Sequence, residues 1–311
     1  MAAEFISYQG WDKVLHLNHH DLELYIPQAV GPRITGLSFR GSKNLFKEYS
    51  EQLGGHGEDE WLIRGGHRLW MAPEDEVLTY DLDNSEVRIT ENNESDVTIT
   101  GSPGPQAGLM KELQLTFHAS SPGLRVLHRL HNTSERPQNY AAWALSVMAA
   151  GAQAILPEPP LGEHPRDLLP DRSLILWPYT RLNDRRLSMG TKFLRWHQAD
   201  EGQPFKFGVF RPLGWVAVWL HGVLLLKGWD QDPLASYPDF GCSFETFTNH
   251  EMLEIETLSP LRSVHPGEST DLVEHWLLAQ PSSPPPEEED ALEAWLQPHL
   301  AQLQQIREAL A

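Results

Sequence analysis

Short stretches of alternating apolar and polar residues recur through most of this chain and limit what it can fold into. From Lys13 to about Phe210 these stretches are separated by Gly, Pro, Asn and Asp, as in strands joined by turns. The stretch 109–117, for example, has Leu109, Lys111, Leu113, Leu115 and Phe117 at alternate positions, of which only Lys111 is polar. The helical patterns that a parallel nucleotide-binding sheet needs between its strands are missing. The sequence therefore predicts an all-β protein.

Two later runs, 215–220 and 223–229, are almost continuously apolar. Strands that are covered on both faces have this pattern, so both runs are predicted to be central strands of a sheet. Roughly fifteen or more short strands with little helix favour a large antiparallel β-sandwich.

The last thirty or so residues have a different pattern, because a Pro-rich segment, 281–286, precedes a helical spacing of apolar residues. The chain is therefore divided into a β-sandwich domain, 1–280, and a linker with a C-terminal helix, 281–311. We expect Pro298 to interrupt this helix. Its apolar stripe suits either docking on the outer face of the sheet or a partner contact, including a homodimer. The apolar positions are Leu292, Trp295, Leu296, Leu300, Leu303, Ile306 and Leu310.

The formal net charge of -19 argues against nucleic acid or an anionic membrane surface as a partner, because phosphates would be repelled. A neutral or cationic ligand is expected instead. The only cysteine, Cys242, excludes an intrachain disulfide, and no apolar stretch is long enough for a membrane-spanning helix. We expect a soluble, cytoplasmic protein. Because no phosphate-binding glycine loop and no metal-ligand spacing occur, neither a cofactor nor a metal is predicted.

Two carboxylates share one face of a predicted strand at 253–258. Successive side chains of a strand point to opposite faces, so Glu254 and Glu256 lie on one side and Leu253, Ile255 and Thr257 on the other. The two acids are about 7 Å apart at Cα, close enough to shift a pKa if the face is buried. With the turn at 264–268 and the apolar run 272–278, this strand is predicted to form an antiparallel hairpin.

A polar cluster surrounds these acids in the sequence. Glu245 and Asn249 precede them, and no Lys or Arg lies between Lys227 and Arg262. Carboxylates and amides suit a polyhydroxylated ligand, whereas a solvated strand face, the alternative interpretation, more often includes Lys. We therefore predict that Glu245, Asn249 and Glu254 bind substrate, and we include Lys227 among the substrate-binding residues.

A second cluster follows a pair of glycines at 65–66. It places His67, Arg68 and Trp70 close together in the sequence. Arginine offers fixed donors for hydroxyl groups, tryptophan offers a flat apolar face for a sugar ring, and histidine exchanges protons near neutral pH. Arg68 and Trp70 are therefore predicted to bind substrate and His67 to be catalytic. A core position for Trp70, and charge neutralisation by Arg68, are the structural alternatives.

These segments resemble the galactose mutarotase-like, or aldose 1-epimerase-like, superfamily over roughly residues 14–279. The segments 253–260 and 265–268 look like its late strand and Pro-Gly-Glu turn, with Glu256 at the position of the catalytic base. Residues 31–34 and 44–46 resemble its opening strands, and 66–68 resembles its substrate-binding arginine segment. The resemblance implies a β-supersandwich with a sugar site on its concave face. It also implies an isomerase in which Glu256 assists the opening of a free sugar ring.

Epimerases of this superfamily carry an acid histidine on a middle strand, and the equivalent stretch here, 141–148, holds none. His67, His128, His131 and His221 are the alternatives for this role. A non-catalytic carbohydrate-binding protein is accordingly the second hypothesis. Glycoside hydrolysis or lyase chemistry on an acidic sugar, and a partner-binding role of the C-terminal helix, are further possibilities.

Overall fold

The computed structural model describes residues 1–210 and 213–311, and strands account for most of its regular structure. Within these residues the strands are β1 (Ala2–Tyr8), β2 (Trp11–His19), β3 (Leu22–Pro27), β4 (Arg33–Ile34), β5 (Gly36–Phe39), β6 (Gly66–Ala72), β7 (Arg88–Asn93), β8 (Asp96–Pro103), β9 (Leu109–Phe117), β10 (Gly123–Asn132), β11 (Gln138–Met148), β12 (Gln153–Pro157), β13 (Ile175–Leu176), β14 (Leu187–Met189), β15 (Phe193–His197), β16 (Phe205–Val209), β17 (Trp215–Leu220), β18 (Val223–Trp229), β19 (Phe244–Thr248), β20 (Leu253–Leu258), β21 (Arg262–Val264) and β22 (Ser269–Ala279). The helical elements are a 3-10 turn, Ser50–Gln52, a helical turn, Pro238–Gly241, and the C-terminal helix, Glu289–Ala309.

The strands form three antiparallel sheets. A ten-stranded sheet has the order β14-β15-β12-β17-β18-β22-β10-β9-β8-β7, and an eight-stranded sheet has the order β13-β16-β19-β20-β11-β6-β4, with β21 paired to β11. A smaller sheet, β1-β2-β3-β5, is formed by the first residues of the chain. The prediction of an all-β antiparallel sandwich with a C-terminal helix is therefore confirmed.

The two large sheets face each other across a common apolar core. Trp196 of the ten-stranded sheet illustrates this, because its indole N–H donates to Thr246 Oγ1 of the eight-stranded sheet over 2.9 Å. In β9 the alternating apolar residues, Leu109, Leu113, Leu115 and Phe117, are all buried. The period-two pattern thus identified the inner face of this strand correctly.

Strand β18 is buried along its whole length and lies near the middle of the ten-stranded sheet, as its continuous apolar run predicted. Its inner residues, including Leu225, join the core between the sheets. Its outer residues, Leu224 and Leu226, pack in a second apolar cluster with the C-terminal helix. The C-terminal helix therefore covers the outer face of this strand, which explains why both faces are buried.

The C-terminal helix contributes four buried residues to this outer cluster, Leu292, Leu296, Leu303 and Ile306. The expected interruption at Pro298 is wrong, because the helix runs unbroken from Glu289 to Ala309. Proline in a helix interior costs about 3 kcal/mol through one lost hydrogen bond and a steric clash. Apolar packing on both sides of Pro298 offsets this cost. No helix among the described residues is long and apolar enough to span a membrane.

The predicted hairpin between 253–258 and 272–278 is also wrong. Strand β20 pairs with β11 and β19 in the eight-stranded sheet, whereas β22 pairs with β10 and β18 in the ten-stranded sheet. The turn at 265–268 therefore carries the chain from one layer of the sandwich to the other. Both strands alternate as expected, but an alternating pattern does not specify the neighbour with which a strand pairs.

Candidate functional site

A row of facing residues crosses the eight-stranded sheet on its side away from the core. Arg68 of β6 pairs with Leu145 of β11, Leu145 with Glu256 of β20, and Glu256 with Glu245 of β19. Directly opposed residues of antiparallel strands point to the same face, so this register groups the charged side chains. Gly208 of β16 completes the row next to Glu245. A Cβ atom at Gly208 would lie only 2.4 Å from Cys242 Sγ and 3.2 Å from Glu245 Cγ, so glycine leaves space for this carboxylate.

These strands line a cleft of about 220 Å³. Its aromatic walls are Trp61, Trp70, Tyr80, Trp143, Tyr179 and Phe247. Its charged residues are Arg68, Glu74, Lys206, Glu254 and Glu256. A small concave site with apolar walls and a few converging polar groups is typical of sites for small ligands. The predicted residues Arg68, Trp70, Glu254 and Glu256 are thus brought together in one cleft.

Glu256 lines the cleft and is fully buried. Its Oε2 atom accepts hydrogen bonds from Trp143 Nε1 over 3.0 Å and from Lys206 Nζ over 3.3 Å. Its other oxygen, Oε1, has no hydrogen-bond partner among the described residues. Burial raises the pKa of Glu256 to about 7, an effect that Lys206 opposes and the nearby charge of Glu254 reinforces. A carboxylate with a free oxygen and a pKa near neutrality is suited to accept a proton.

Lys206 of β16 is the cation closest to this carboxylate. Its ammonium lies 2.9 Å from Glu245 Oε2 and 4.6 Å from the ring centres of Trp143 and Trp177. Burial alone lowers the pKa of Lys206, but the charges of Glu256 and Glu245 outweigh burial and raise it. The pKa of Glu245 is raised well above its usual range, because burial outweighs the attraction of Lys206. Glu245 does not line the cleft and instead holds Lys206 from the side.

Arg68 lies between two indole rings and one carboxylate. Its guanidinium carbon is 4.3 Å from the ring centre of Trp70 and 5.6 Å from that of Trp61. Its Nη2 atom donates to Glu254 Oε1 over 3.0 Å. The Nε and Nη1 donors have no hydrogen-bond partner among the described residues. Buried donors without partners are costly, so a ligand that accepts from them would gain binding energy.

His67 and Lys227, which were predicted beside these residues, are not brought into the cleft. Both are fully buried between the two large sheets. Lys227 Nζ lies 2.8 Å from Glu274 Oε1 and donates to Ser146 Oγ over 3.0 Å. His67 Nε2 and His128 Nε2 are 2.7 Å apart. Period-two alternation explains this placement, because His67 precedes Arg68 on β6 and points to the opposite face.

The ring nitrogens of His67 and His128 in this interior group all have hydrogen-bond partners within the protein. His128 Nδ1 lies 3.0 Å from the Leu272 carbonyl, which can only accept, so the neutral ring of His128 accepts at Nε2. His67 then donates from Nε2 and accepts at Nδ1 from Ser146, 2.8 Å away. Burial lowers the pKa of both histidines, to about 4 for His128. His67, His128 and Glu274 have metal-compatible spacing, but every ring nitrogen already has a hydrogen-bond role.

The remaining predicted positions also lie away from the cleft. Asn249 lies in the turn between β19 and β20, where its side-chain oxygen accepts from the backbone of Glu251 and Met252. None of the described residues that line the cleft is a histidine. His131 contacts Glu112 at 3.8 Å on the ten-stranded sheet, and His221 follows β17 in a turn.

Lys206 is the main residue that the sequence reasoning missed. It is the lone cation in the apolar stretch 205–210, and it alternates with the core residues Phe205, Phe207 and Val209. A single lysine on the second face of a buried strand indicates a buried charge that has a specific partner. The partner is Glu256, fifty residues further along the chain. Only the order of the strands in the sheet brings it close to Lys206.

A larger cavity, of about 640 Å³, lies elsewhere, beside the four-stranded sheet. It is lined by small and polar residues, such as Gly10, Gly54 and Asn84, together with Trp11 and His56. The ionisable residues that line it, Asp12, Lys13, His56 and Glu86, are all exposed. Size alone therefore does not favour it over the smaller cleft.

The fold resembles solved structures of sugar-epimerase type. A candidate aldose 1-epimerase from Klebsiella pneumoniae is 13% identical, with a TM-score of 0.58, and the alignment covers 94% of this chain and 84% of that chain. A galactose mutarotase-like protein from Lactobacillus casei is 9% identical, with a TM-score of 0.54, and the alignment covers 86% of this chain and 100% of that chain. The fold that the resemblance implied is thereby confirmed.

A third similar structure is a TPR-domain containing protein from Parabacteroides distasonis. It is 12% identical with a TM-score of 0.60, and the alignment covers 89% of this chain but only 49% of that chain. This chain thus spans about half the length of that protein. The sequence matches no protein-family model and no curated protein.

Proposed function

We propose that the protein binds an uncharged free sugar in the cleft and interconverts its anomers, as an aldose 1-epimerase does. One observation carries this proposal: the buried Glu256 carboxylate has a pKa near 7 and an oxygen without a partner among the described residues. Opening of a pyranose requires removal of the proton of the anomeric hydroxyl, and Glu256 is the base for this step. The likeness in fold to mutarotase-type structures supports the same reaction class.

The walls of the cleft suit a sugar ring with apolar faces and polar edges. Trp70 and Trp143 supply flat surfaces, with ring centres 5.4 Å apart. The free Nε and Nη1 donors of Arg68 would bind sugar oxygens, and Glu254 would accept from a hydroxyl group. These residues hold the sugar so that its anomeric hydroxyl reaches Glu256.

The charges of the cleft favour an uncharged ligand over a sugar phosphate. Arg68 is already paired with Glu254, and Lys206 is paired with Glu245 and Glu256. A phosphate group would have to break these pairs and approach Glu74 as well. The negative net charge of the whole chain adds to this repulsion.

Anomer exchange measured by polarimetry and by NMR across a panel of free aldoses tests the proposal. We expect one or more sugars to equilibrate faster with the protein, and Glu256→Gln to lower the rate by about 10²- to 10⁴-fold, the usual contribution of a general base. Tryptophan fluorescence reports binding separately. The phosphorylated form of each active sugar serves as the matched ligand control and is expected to bind more weakly.

A non-catalytic sugar-binding protein is the second candidate, because no described residue lining the cleft is a histidine. Sugar binding with no acceleration of anomer exchange by the native protein would establish this alternative. Absence of binding across the panel would contradict both functions.

A further inference from the structure

Lys206 occupies the position next to Glu256 at which a second proton-transfer group is needed. The residue is 4% exposed and lines the cleft, and its ammonium lies 2.9 Å from the carboxyl group of Glu245 and 3.3 Å from that of Glu256. The ammonium also lies over the rings of Trp143 and Trp177, 4.6 Å from each ring centre. A lysine that is restrained in this way has a defined direction in which it can donate.

The reaction proposed above needs an acid and a base that act at one carbon atom. The anomeric hydroxyl and the ring oxygen are both bonded to that carbon, so the two protein groups must be neighbours. Glu256 Oε1 is free of partners among the described residues, and the Lys206 ammonium contacts the other oxygen of the same carboxylate. An oxygen acceptor and a nitrogen donor are therefore presented side by side.

We propose that Glu256 and Lys206 form a bifunctional acid–base pair, in which Lys206 protonates the ring oxygen of an uncharged aldose; this inference rests on the proposed function. Glu256 Oε1 takes the proton of the anomeric hydroxyl while the bond between the anomeric carbon and the ring oxygen breaks. The electron pair of that bond goes to the ring oxygen, which receives a proton from Lys206 Nζ. The products are the open-chain aldehyde, a neutral carboxyl group and a neutral amine.

Ring closure restores both groups without another reactant. After the aldehyde group rotates, the hydroxyl that had been the ring oxygen attacks the other face of the carbonyl carbon and returns its proton to Lys206. The carbonyl oxygen takes the proton held by Glu256. Each atom and proton is accounted for, and the sugar leaves as the other anomer.

The surrounding charges couple the two proton transfers. The charge of Glu256 and the contact with Glu245 raise the pKa of Lys206 over the opposing effect of burial, so the resting lysine keeps its proton. When Glu256 becomes neutral, Lys206 loses one of these attractions and becomes a stronger acid. Uptake of a proton by Glu256 therefore favours release of the lysine proton to the ring oxygen.

Two variants separate proton donation from charge. Lys206→Arg keeps a cation beside both carboxylates, but a guanidinium does not release a proton in a protein. Lys206→Met removes both properties. We expect kcat for anomer exchange to fall by about 10²- to 10⁴-fold in both variants. Lys43→Arg, at an exposed position, is the matched control and is expected to keep the native rate.

Chemical rescue provides a readout that a purely structural role would not give. In Lys206→Ala, added primary amines are expected to restore part of the rate, with an efficiency that depends on the pKa of the amine. The double variant Lys206→Ala/Glu256→Gln corrects for catalysis by the amine in solution. Thermal unfolding and sugar binding of each variant verify that the cleft is intact.

The results distinguish this inference from the proposed function. If the native protein accelerates anomer exchange and Lys206→Arg retains kcat, Lys206 does not donate the proton and only this inference fails. Failure of every amine to rescue folded, sugar-binding Lys206→Ala would overturn it as well. If the native protein binds sugars without accelerating their exchange, the proposed isomerase and the acid–base pair both fail.

Discussion

Lys206 Nζ and Glu256 Oε2 lie 3.3 Å apart although strand β19 separates the strands that carry them. The lysine ammonium also lies 2.9 Å from Oε2 of Glu245, which is on the intervening strand. Three ionisable groups on three adjacent strands thus share one buried region. Their pKa values depend on one another, and the proposed anomer exchange is expected to depend on pH accordingly.

The rate of anomer exchange is expected to depend on the protonation of Glu256. Burial raises the pKa of this carboxyl to about 7, and a base must be deprotonated to accept a proton. Below that pH, kcat/KM should fall about tenfold per pH unit, and above it kcat/KM should level off. A pH–rate profile checks this, with Glu256→Gln as the control that should lack the acid limb. An acid limb near the ordinary glutamate pKa would contradict the burial argument.

Arg68→Lys is expected to weaken sugar binding and to leave the protein folded. Lysine keeps a positive charge beside Glu254 but loses the planar fork that packs on Trp70 and presents two free donors. Loss of one or two hydrogen bonds of about 1 kcal/mol each corresponds to a Kd that is roughly 5- to 30-fold higher. Calorimetric titration measures Kd directly.

Arg129→Lys is the matched control for this substitution, because Arg129 forms a partly exposed ion pair with Asp271 away from the cleft. Its Kd for sugar is expected to equal that of the native protein. An unchanged Kd in Arg68→Lys would show that the two free donors of Arg68 do not contact the ligand.

Lys227→Met is expected to destabilise the protein because it breaks the buried ion pair between Lys227 and Glu274. It leaves the fully buried Glu274 without its cation, and breaking such a pair costs about 3 to 5 kcal/mol of unfolding free energy. The double variant Lys227→Met/Glu274→Gln should recover part of this loss, since no uncompensated charge remains. Urea unfolding of the native protein and the variants gives these values.

The same variants test whether Lys227 binds sugar, as the sequence predicted. Because Lys227 lies between the sheets, the folded Lys227→Met protein is expected to keep the native Kd. A higher Kd in a variant that remains fully folded would support the substrate-binding role instead.

Leu296→Ala tests the contact between the C-terminal helix and the ten-stranded sheet. Leu296 is fully buried in the outer cluster with Leu226, so truncation should cost about 2 to 5 kcal/mol of unfolding free energy. Gln305→Ala, on the exposed side of the helix, should cost less than about 0.5 kcal/mol. Urea unfolding measures both.

The possible homodimer through this helix can be examined with the same proteins. Light scattering after size exclusion gives the mass of the native protein and of both variants. A dimer that dissociates in Gln305→Ala, but not in Leu296→Ala, would place the subunit contact on the outer side of the helix.

Part of the candidate site could be predicted from local sequence alone. The period-two rule placed Glu254 and Glu256 on one face, and the structure groups them with Arg68 and Trp70 in the cleft. The same rule could have excluded His67, since adjacent residues of a strand point to opposite faces. The chemistry of His67 and Arg68 predicted both at the site, whereas their alternation along β6 places them on opposite faces.

The sequence by itself determined the local structure: apolar periodicity identified many strands, the central position of β18 and the helical tail, because these patterns depend on residues a few positions apart. Only the tertiary structure decided which strands are neighbours. It separated β20 and β22 into different sheets, placed Lys206 beside Glu256 and enclosed Lys227 with Glu274. Strand pairing depends on packing and hydrogen bonding summed over the whole sheet, and neither quantity can be read from one segment.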